Sequence, residues 1–284
     1  MTHDDNGTRV PRPAEPAADS SGDPAAHDDA AGARTALVVG GASGIGLATV
    51  RAFAAEGYRV VLADVNTEAA QRLAADLDVI ALTMDVTDED SVAAGFAAHP
   101  NLDAVVNCAG LSMPGPITDL ELSAWRTTID VCLTGSFLVV KHAGRHLADG
   151  GSITCIASLN GRQPGTGMAS YCSAKAGVLM LVEVAALELA ERGIRVNAIN
   201  PGLVDTPLVA GIALVPGLRE EYLDNTPLGR SGEPEEIADM AVFLASGKAR
   251  WMTGSAIDLN GGAHLRRYPD VLGRVRAMAG AADS

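Results

Sequence analysis

The chain has 284 residues, 48% of them hydrophobic, and a formal net charge of −14; this allows a large core, whereas the negative charge argues against nucleic acid or an anionic membrane as the main partner. The cysteines, Cys108, Cys132, Cys155 and Cys172, show no C-x-x-C spacing, so we expect neither a metal site nor a disulfide framework, and free thiols favour a cytoplasmic protein. No apolar stretch reaches the roughly 18 residues of a membrane span, and the N-terminus lacks the basic and apolar segments of a secretory signal.

The two ends of the chain differ in composition from its middle. Residues 1–33 are rich in Asp, Pro, Ala and Ser and hold too few aliphatic side chains to bury, so we predict a disordered acidic tail there. Residues 34–265 are predicted to form one domain. Residues 266–284 are predicted to form a C-terminal tail, either a solvated basic end or an arm that reaches a neighbouring subunit. Its arginines are Arg266, Arg267, Arg274 and Arg276.

Apolar runs alternate with segments of helical periodicity from Thr35 onward. Seven runs have the length and composition of buried strands, namely TALVV, RVVLAD, VIALTMDV, LDAVVNCAG, GSITCIAS, IRVNAIN and SAIDL. One intervening helix is expected to have Thr87 as its N-cap, and others are predicted over Leu122–Leu147, Ala169–Glu191 and Pro234–Ala245. Strands that alternate with helices pair in parallel through right-handed crossovers. This predicts an α/β fold, a single doubly wound Rossmann-like domain with a seven-stranded parallel sheet.

The first strand leads into a glycine-rich turn, GGASGIG. Gly40, Gly44 and Gly46 let the backbone approach a pyrophosphate, which the free N–H groups of the next helix stabilise. A tight turn without a ligand would also explain the glycines, but Asp64 ends the second strand where a carboxylate meets an adenosine ribose. A 2′-phosphate about 4 Å from that carboxylate is repelled by roughly 4 kcal/mol at an effective dielectric near 20. We therefore predict NAD rather than NADP.

Tyr171 and Lys175 stand four positions apart in GMASYCSAKAG, so they share one face of a predicted helix. An ammonium about 5 Å from a phenolate stabilises it by roughly 3 kcal/mol at an effective dielectric near 20, which makes the pair a feasible acid and base at neutral pH. The same spacing is common in purely structural helices. Ser158, which ends the preceding strand, favours the catalytic interpretation because its hydroxyl can hold a substrate oxygen beside the phenol.

Several motifs, in this order, resemble the classical short-chain dehydrogenase/reductase family over the chain from Thr35 to Gly262. They are GGASGIG, Asp64, MDV with Asp85, NCAG, Ser158, Tyr171 with Lys175, NPGLVDTP and TGSAIDLNGG. The resemblance implies an oxidoreductase that interconverts a secondary alcohol and a ketone. In this mechanism Tyr171 exchanges a proton with the substrate oxygen, Lys175 assists it and binds the nicotinamide ribose, and Ser158 positions the oxygen.

The resemblance also implies which residues bind the cofactor. The glycine turn would hold the pyrophosphate and Asp64 the adenosine ribose, while residues after the third strand flank the adenine. Residues after the fourth strand lie beside the cofactor or stabilise the sheet, and residues after the sixth strand meet the nicotinamide. The implied set is Gly40, Ser43, Gly44, Ile45, Gly46, Asp64, Asp85, Val86, Asn107, Ala109, Gly110, Tyr171, Lys175, Pro201, Val204 and Thr206.

Two positions depart from the family pattern. Val39 stands where a threonine commonly precedes the first glycine, and we expect a small effect on stability. Cys132 replaces a helix asparagine that, in the family, holds a water linking the lysine to solvent, and a thiol is a weak substitute for a carboxamide. A backbone carbonyl at a bend in the helix would still serve, so we expect an active enzyme with a modified relay. Two alternatives stay open: a non-catalytic dinucleotide-binding sensor or scaffold, and an NADP-dependent ketoacyl-type reductase.

The segment DTPLVAGIALVPGLREEYL lies where the family places its substrate lid. Its aliphatic side chains predict an apolar pocket for a hydrophobic or alicyclic secondary alcohol, although packing of the lid onto the domain explains them equally well. The residues expected to line the pocket are Leu208, Val209, Ile212, Leu214, Val215, Met113 and Gln163. The resemblance further implies a homotetramer or homodimer, assembled partly through the helices at Leu122–Leu147 and Ala169–Glu191.

Overall fold

The apolar runs identified in the sequence form seven strands in the computed structural model, which describes residues 33–282. They are β1 (Thr35–Val39), β2 (Arg59–Asp64), β3 (Ile80–Thr83), β4 (Leu102–Asn107), β5 (Leu147–Ile156), β6 (Arg195–Pro201) and β7 (Ala256–Leu259). The predicted acidic tail lies, apart from Ala33, outside the described residues.

Nine α-helices connect or follow the strands within residues 33–282. They are α1 (Gly44–Ala55), α2 (Thr67–Leu77), α3 (Glu89–Ala97), α4 (Leu122–Ile129), α5 (Gly135–His146), α6 (Ala169–Leu189), α7 (Leu218–Asp224), α8 (Pro234–Ala245) and α9 (Val271–Ala282). A π-helical turn at Asp130–Thr134 joins α4 to α5, and a 3-10 helix at Pro207–Leu214 precedes α7. None of the helices in this part of the chain is both long and apolar enough to cross a membrane.

All neighbouring strands pair in parallel, in the order β3-β2-β1-β4-β5-β6-β7. The chain winds outward in opposite directions from β1 and β4, so the sheet has its topological switch point between these two strands. Their carboxyl ends open a crevice there. The predicted doubly wound α/β fold with a seven-stranded parallel sheet is confirmed.

Helices cover both faces of the sheet, because each strand sends alternate apolar side chains to opposite layers. In β1, Leu37 and Val39 pack with side chains of α3, α5 and α6, whereas Ala36 and Val38 pack with those of α1 and α8. Val39, at the position of the family's threonine, is 1% exposed. Its side chain is therefore part of the apolar core beneath the glycine turn.

The N-cap predicted for α3 is wrong by one residue. Asp88 caps the helix through its carboxylate, which accepts the Asp90 N–H at 3.0 Å. The Thr87 hydroxyl instead donates to the Asp85 carboxylate at 2.7 Å. Thr87 therefore belongs to the turn that follows β3, because its hydroxyl hydrogen-bonds to a carboxylate two residues earlier and does not cap the helix.

The single helix predicted over Leu122–Leu147 is also corrected. The π-helical turn interrupts it, and the Ser136 hydroxyl donates to the Cys132 carbonyl at 2.7 Å within the widened ladder. Leu147 is not helical, since it pairs with Leu102 and begins β5. Side-chain bonding and strand pairing therefore override the helical periodicity at these two places.

Candidate active site

A cavity of about 480 Å³ opens at the carboxyl ends of β4, β5 and β6. Its walls include Gly110, Ser158 and Pro201, which lie at or just after the ends of these strands, together with side chains of α6 and of the segment before α7. Most lining side chains are apolar, and a few polar groups converge on one side. This combination is typical of a binding site for a small organic molecule.

Ser158, Tyr171 and Lys175 all line this cavity. The Ser158 Oγ accepts the Asn160 N–H at 3.1 Å, which leaves the hydroxyl proton free to be donated. The Lys175 Nζ lies 5.6 Å from the centroid of the Tyr171 ring, one turn away on α6. Lys175 is 3% exposed, and its Nζ donates to the Ile156 carbonyl at 2.7 Å. The structure thus brings a hydroxyl donor, a phenol and a buried ammonium to one place.

The glycine turn is too tight for a side chain at its centre. A Cβ at Gly46 would lie 1.9 Å from the Gly40 carbonyl oxygen, and a Cβ at Gly40 would lie 2.9 Å from the Ala109 nitrogen. Gly40 and Gly44 have φ angles of 73° and 48°, which glycine adopts most readily. The turn ends at the start of α1, where free N–H groups face outward. The backbone therefore fits the pyrophosphate of a dinucleotide.

Asp64 ends β2 beside this turn. One carboxylate oxygen accepts the Ala42 N–H at 3.0 Å, and the other accepts the Asn66 N–H at 2.9 Å. These bonds fix the carboxylate next to the backbone of the turn. The next residue, Val65, is 66% exposed and brings no cation to this surface.

The predicted residues after β3 and β4 use their side chains largely within the protein. The Asp85 carboxylate accepts the hydroxyl and the N–H of Thr87, and these two bonds lower its pKa. Val86 is 7% exposed and belongs to the core. The Asn107 amide donates to the Ser136 hydroxyl at 3.0 Å and so connects β4 to α5. This bond fits the sheet-stabilising role expected for Asn107, and its place beside the cofactor stays a prediction.

Five residues of the predicted cofactor set, besides Tyr171 and Lys175, line the cavity itself: Ile45, Gly110, Pro201, Val204 and Thr206. The Thr206 side chain lies 3.2 Å from where a Cβ would stand on Gly44. The glycine turn and the residues after β6 thus meet, and the predicted pyrophosphate and nicotinamide residues form one continuous surface.

A lid follows β6 and covers the cavity. Its base is fixed by Asp205, whose carboxylate accepts both terminal nitrogens of Arg219 at 2.9 and 3.1 Å. This pairing, together with the Ser231 hydroxyl, lowers the pKa of Asp205. The lid is therefore held at Asp205, which lies between Val204 and Thr206, two residues predicted to contact the nicotinamide.

The predicted lining of the pocket is mostly observed. The lining residues are Leu208, Val209, Ile212, Val215 and Gln163. Leu214 does not line it and is 78% exposed, because it ends the 3-10 helix on the side turned away from the cavity. Met113 is 41% exposed and also lies outside, whereas its neighbours Ser112 and Pro114 line the cavity.

The segment predicted as a C-terminal tail closes the same cavity. Glu221 of α7 accepts the Arg274 Nε at 2.8 Å and the Asp270 N–H at 3.1 Å, and the Arg274 bond lowers the pKa of this carboxyl. Arg267 approaches the same carboxylate at 3.4 Å. Arg267 and Arg274 of this segment thus bind within their own chain. Its residues that line the cavity are Arg267, Tyr268, Pro269, Val271 and Val275.

A hydrogen-bonded group of polar side chains in the cavity, Tyr222, Tyr268 and Asn160, was missed by the prediction from sequence. The hydroxyls of Tyr222 and Tyr268 lie 2.8 Å apart, and the Tyr268 hydroxyl donates to the Asn160 carbonyl oxygen at 3.0 Å. These residues come from three distant segments, and no local pattern connects them. One sequence feature could have indicated that the C-terminal segment packs onto the domain. Val271 and Val275 stand one helical turn apart, a spacing typical of a packed helix.

Comparison with known proteins places the chain in a family. The family model described as enoyl-(acyl carrier protein) reductase matches residues 40–264. The structure of a short-chain type dehydrogenase/reductase from Mycobacterium ulcerans superimposes with a TM-score of 0.82 at 37% identity, covering 86% of this chain and 94% of that one. The chain belongs to the short-chain dehydrogenase/reductase family.

Two relatives of this short-chain dehydrogenase/reductase have named activities. The cis-4-hydroxycyclohexanecarboxylate dehydrogenase of Sinomonas cyclohexanicum is 42% identical over 240 residues, covering 81% of this chain and 96% of the relative. The 2,5-dichloro-2,5-cyclohexadiene-1,4-diol dehydrogenase of Sphingobium indicum is 38% identical over 240 residues, covering 81% and 95%. The resemblance found in the sequence is confirmed: the protein is an oxidoreductase of a family whose dehydrogenases use nicotinamide cofactors.

Cys132 lies in the π-helical turn of this short-chain dehydrogenase/reductase and is fully buried. Its thiol donates to the Leu111 carbonyl at 3.2 Å and accepts the Leu111 N–H at 3.4 Å. A carboxamide offers an NH₂ donor group and an oxygen acceptor, and the thiol, with its weaker donor and acceptor, makes one contact of each kind to the backbone. A Cβ on Gly110 would lie 3.6 Å from the Lys175 Nζ and 3.8 Å from the Cys132 Sγ. The thiol therefore fixes the backbone that borders the lysine.

Replacing Cys132 by alanine is expected to lower the melting temperature by about 3–6 °C, because two Leu111 backbone groups lose their partner at a cost of about 1–2 kcal/mol. Cys132→Ser keeps a donor and an acceptor, and we expect it to recover part of the loss. The matched control is Cys155→Ala, since Cys155 is equally buried and its thiol has no hydrogen-bond partner among the described residues. Equal losses in the two alanine variants, measured by scanning calorimetry, would contradict this role.

Proposed function

We propose that the protein is an NAD-dependent oxidoreductase that interconverts a secondary alcohol and a ketone on a hydrophobic, alicyclic substrate. The observation that supports this most strongly is the meeting of Ser158, Tyr171 and Lys175 at one largely apolar cavity beside the glycine turn. A hydroxyl donor, a phenol and an ammonium are the groups needed to orient an alcohol and remove its proton.

In the oxidising direction, Ser158 donates its free hydroxyl proton to the substrate oxygen and so fixes that oxygen beside Tyr171. The Tyr171 phenolate takes the proton of the substrate hydroxyl, while the Lys175 ammonium close to the ring stabilises the negative charge. A nicotinamide cofactor held at this site would supply the acceptor for the hydride that leaves the carbinol carbon. The glycine turn would hold the pyrophosphate, Asp64 the adenosine ribose, and Thr206 the carboxamide. The same groups act in reverse when a ketone is reduced.

The alicyclic substrate class has two kinds of support. The names of both relatives describe six-membered carbocycles that carry a hydroxyl group. In this chain the lid contributes Leu208, Val209, Ile212 and Val215 to the cavity, which suits the apolar faces of such a ring. These side chains also exclude water from the reacting atoms.

The preference for NAD is supported by the surroundings of Asp64. Its two carboxylate oxygens each accept one backbone N–H and keep lone pairs for the ribose hydroxyls. The carboxylate has no ion-pair partner among the described residues to neutralise it. A 2′-phosphate about 4 Å away would meet a repulsion of roughly 4 kcal/mol at an effective dielectric near 20.

Asp64→Asn is expected to raise the affinity for NADPH relative to NADH by at least about tenfold, because it removes most of this repulsion. Isothermal titration calorimetry with both reduced cofactors measures the ratio. Asp239→Asn changes the net charge equally at an exposed position of α8 and serves as control. Tighter binding of NADPH than of NADH by the unmodified protein would contradict the NAD assignment and favour an NADP-dependent ketoacyl-type reductase.

A screen of secondary alcohols and ketones, followed through the absorbance of NADH, tests the proposed function. We expect cyclic secondary alcohols to be oxidised faster than small polar polyols, because the cavity is lined mostly by apolar side chains. A preference for polyols would contradict the substrate class. Absence of turnover with every alcohol and ketone, while NADH still binds, would favour a dinucleotide-binding sensor or scaffold.

We also propose that the protein forms a homo-oligomer, through α5 and α6. Met180, Val184 and Leu187 follow one face of α6 and are 59%, 43% and 80% exposed, and Phe137 on α5 is 46% exposed. Burial of such a face favours assembly, and sedimentation velocity on the full chain measures the oligomeric state.

A cytoplasmic location is proposed as well, supported by the free thiols of the four cysteines.

A further inference from the structure

The cavity has a second polar group, where the end of the lid segment meets the C-terminal segment. Tyr222 from α7 and Tyr268 from the C-terminal segment meet there with their hydroxyls 2.8 Å apart. Their rings pack edge to face, with centroids 5.6 Å apart at 85°. Both line the same cavity as Tyr171. Burial raises the pKa of each hydroxyl, and negative charge on Tyr171 adds a smaller increase. Both hydroxyls therefore keep their protons at neutral pH.

The direction of the hydrogen bonds in this group follows from Asn160. Its amide nitrogen donates to the Gln163 carbonyl at 3.1 Å, so its oxygen is the atom that faces Tyr268 at 3.0 Å. A carbonyl oxygen only accepts, and Tyr268 must donate to it. Tyr268 has a single proton, so at 2.8 Å Tyr222 must donate to Tyr268. The Tyr222 oxygen is left with lone pairs alone and can act only as an acceptor.

This arrangement is fixed before any substrate enters. Glu221, next to Tyr222, is 7% exposed and binds the Arg274 guanidinium and the Asp270 N–H. These contacts hold α7 and the C-terminal segment together and so keep the hydroxyls of Tyr222 and Tyr268 within hydrogen-bonding distance. The other nearby donor, Arg267, pairs with the same carboxylate at 3.4 Å, and its side chain is 77% exposed. Arg267 also borders the cavity, and this ion pair engages its guanidinium.

We propose that the Tyr222 oxygen is a specificity-determining acceptor that receives a hydrogen bond from a second hydroxyl of the substrate, across the ring from the carbinol that reacts at Tyr171. This inference rests on the proposed function and narrows its substrate class to cyclic diols. A ketone, an ether or a carboxylate at that position would set lone pairs against the lone pairs of Tyr222. A hydroxyl group supplies the missing proton.

The experiment compares kcat/KM for cyclohexane-1,4-diol, 4-hydroxycyclohexanone and cis-4-hydroxycyclohexanecarboxylate, after correction of the diol for its two equivalent carbinols. We expect the diol to be preferred about tenfold over each of the others, the effect of one hydrogen bond. Tyr222→Phe should bring both ratios close to one. Tyr268→Phe should narrow the ratio by raising kcat/KM of the hydroxyketone, since Tyr222 then has a proton to donate.

The matched control is Tyr58→Phe, which makes the same chemical change in the core beside Phe53, on the face of the sheet covered by α1. It should keep the tenfold preference. A preference of the unmodified protein for the hydroxyketone or the carboxylate would overturn the proposal, as would a preference for the diol that survives Tyr222→Phe.

A binding measurement separates failure of this inference from failure of the proposed function. Calorimetric titration of the diol and the hydroxyketone into the NADH-loaded Tyr171→Phe protein avoids turnover. Tighter binding of the diol, lost when Tyr222→Phe is added, supports the acceptor role even if no alcohol is oxidised by the unmodified protein. Equal binding of the two compounds, or no binding of the diol, overturns it whatever the activity.

Discussion

Tyr171→Phe is expected to lower kcat for alcohol oxidation by about 10²–10⁴-fold while the affinity for NADH changes little. The substitution removes the one oxygen in the cavity placed to take the substrate proton beside Lys175, and general acid–base catalysis contributes about this much to an enzymatic rate. The ring remains, so α6 should keep its packing. Steady-state kinetics and titration with NADH measure the two quantities separately.

The control for this variant is again Tyr58→Phe, which removes a phenol oxygen away from the cavity. Its kcat should match that of the unmodified protein. Retention of more than about a tenth of the activity by Tyr171→Phe would mean that another group or a water takes the proton. Loss of NADH binding in the same variant would show instead that the phenol acts mainly in cofactor binding.

Gly46→Ala is expected to weaken NADH binding by about 10–100-fold and to lower the melting temperature by about 4–10 °C. The added Cβ would stand 1.9 Å from the Gly40 carbonyl oxygen. The Cβ is attached directly to the backbone and the oxygen is part of it, so neither atom can move away without opening the turn. Overpacking of this kind costs about 1–3 kcal/mol. Titration calorimetry and thermal unfolding give the two values.

Gly247→Ala provides the matched control, because a Cβ there would meet no atom within 4 Å. We expect this variant to bind NADH and to unfold like the unmodified protein. A Gly46→Ala protein with normal NADH affinity would mean that the glycine turn does not hold the dinucleotide. The assignment of residues 40–46 as the pyrophosphate site would then fail.

The ends of the strands were predictable because chemistry and topology coincide there. Parallel strands must place their carboxyl ends at one edge, so residues that follow strands gather without any knowledge of packing. Ser158, after β5, and Gly110, after β4, line the same cavity for this reason. Tyr171 and Lys175 were predictable because four residues make about one turn of a helix.

The packing of the C-terminal segment onto the domain could not be predicted from the sequence. Four arginines after residue 265 are as typical of a solvated tail as of a packed one. The choice depended on Glu221, more than forty residues earlier, which buries its carboxylate only because Arg274 and the Asp270 N–H approach it. An ion pair between distant segments leaves no local pattern, so composition alone could not indicate this packing.

At Cys132 too, the sequence and the fold give different kinds of information. From the sequence, a thiol in place of a carboxamide indicated a weakened relay, because side-chain chemistry was all that could be compared. In the fold, the π-helical turn sets the thiol against both backbone groups of Leu111. The fold thus gives the thiol two backbone partners, which the sequence could not indicate.

The sequence by itself determined the layered fold, the glycine turn, and the positions of Ser158, Tyr171 and Lys175 near the crevice. Periodicity and the succession of strands and helices along the chain are local properties. Only the tertiary structure decided which segments close the cavity and which way its protons point. Tyr222, Tyr268 and Asn160 acquire their donor and acceptor roles from one another across 108 residues of chain. A hydrogen-bond direction belongs to a set of neighbours, and neighbours exist only after the chain has folded.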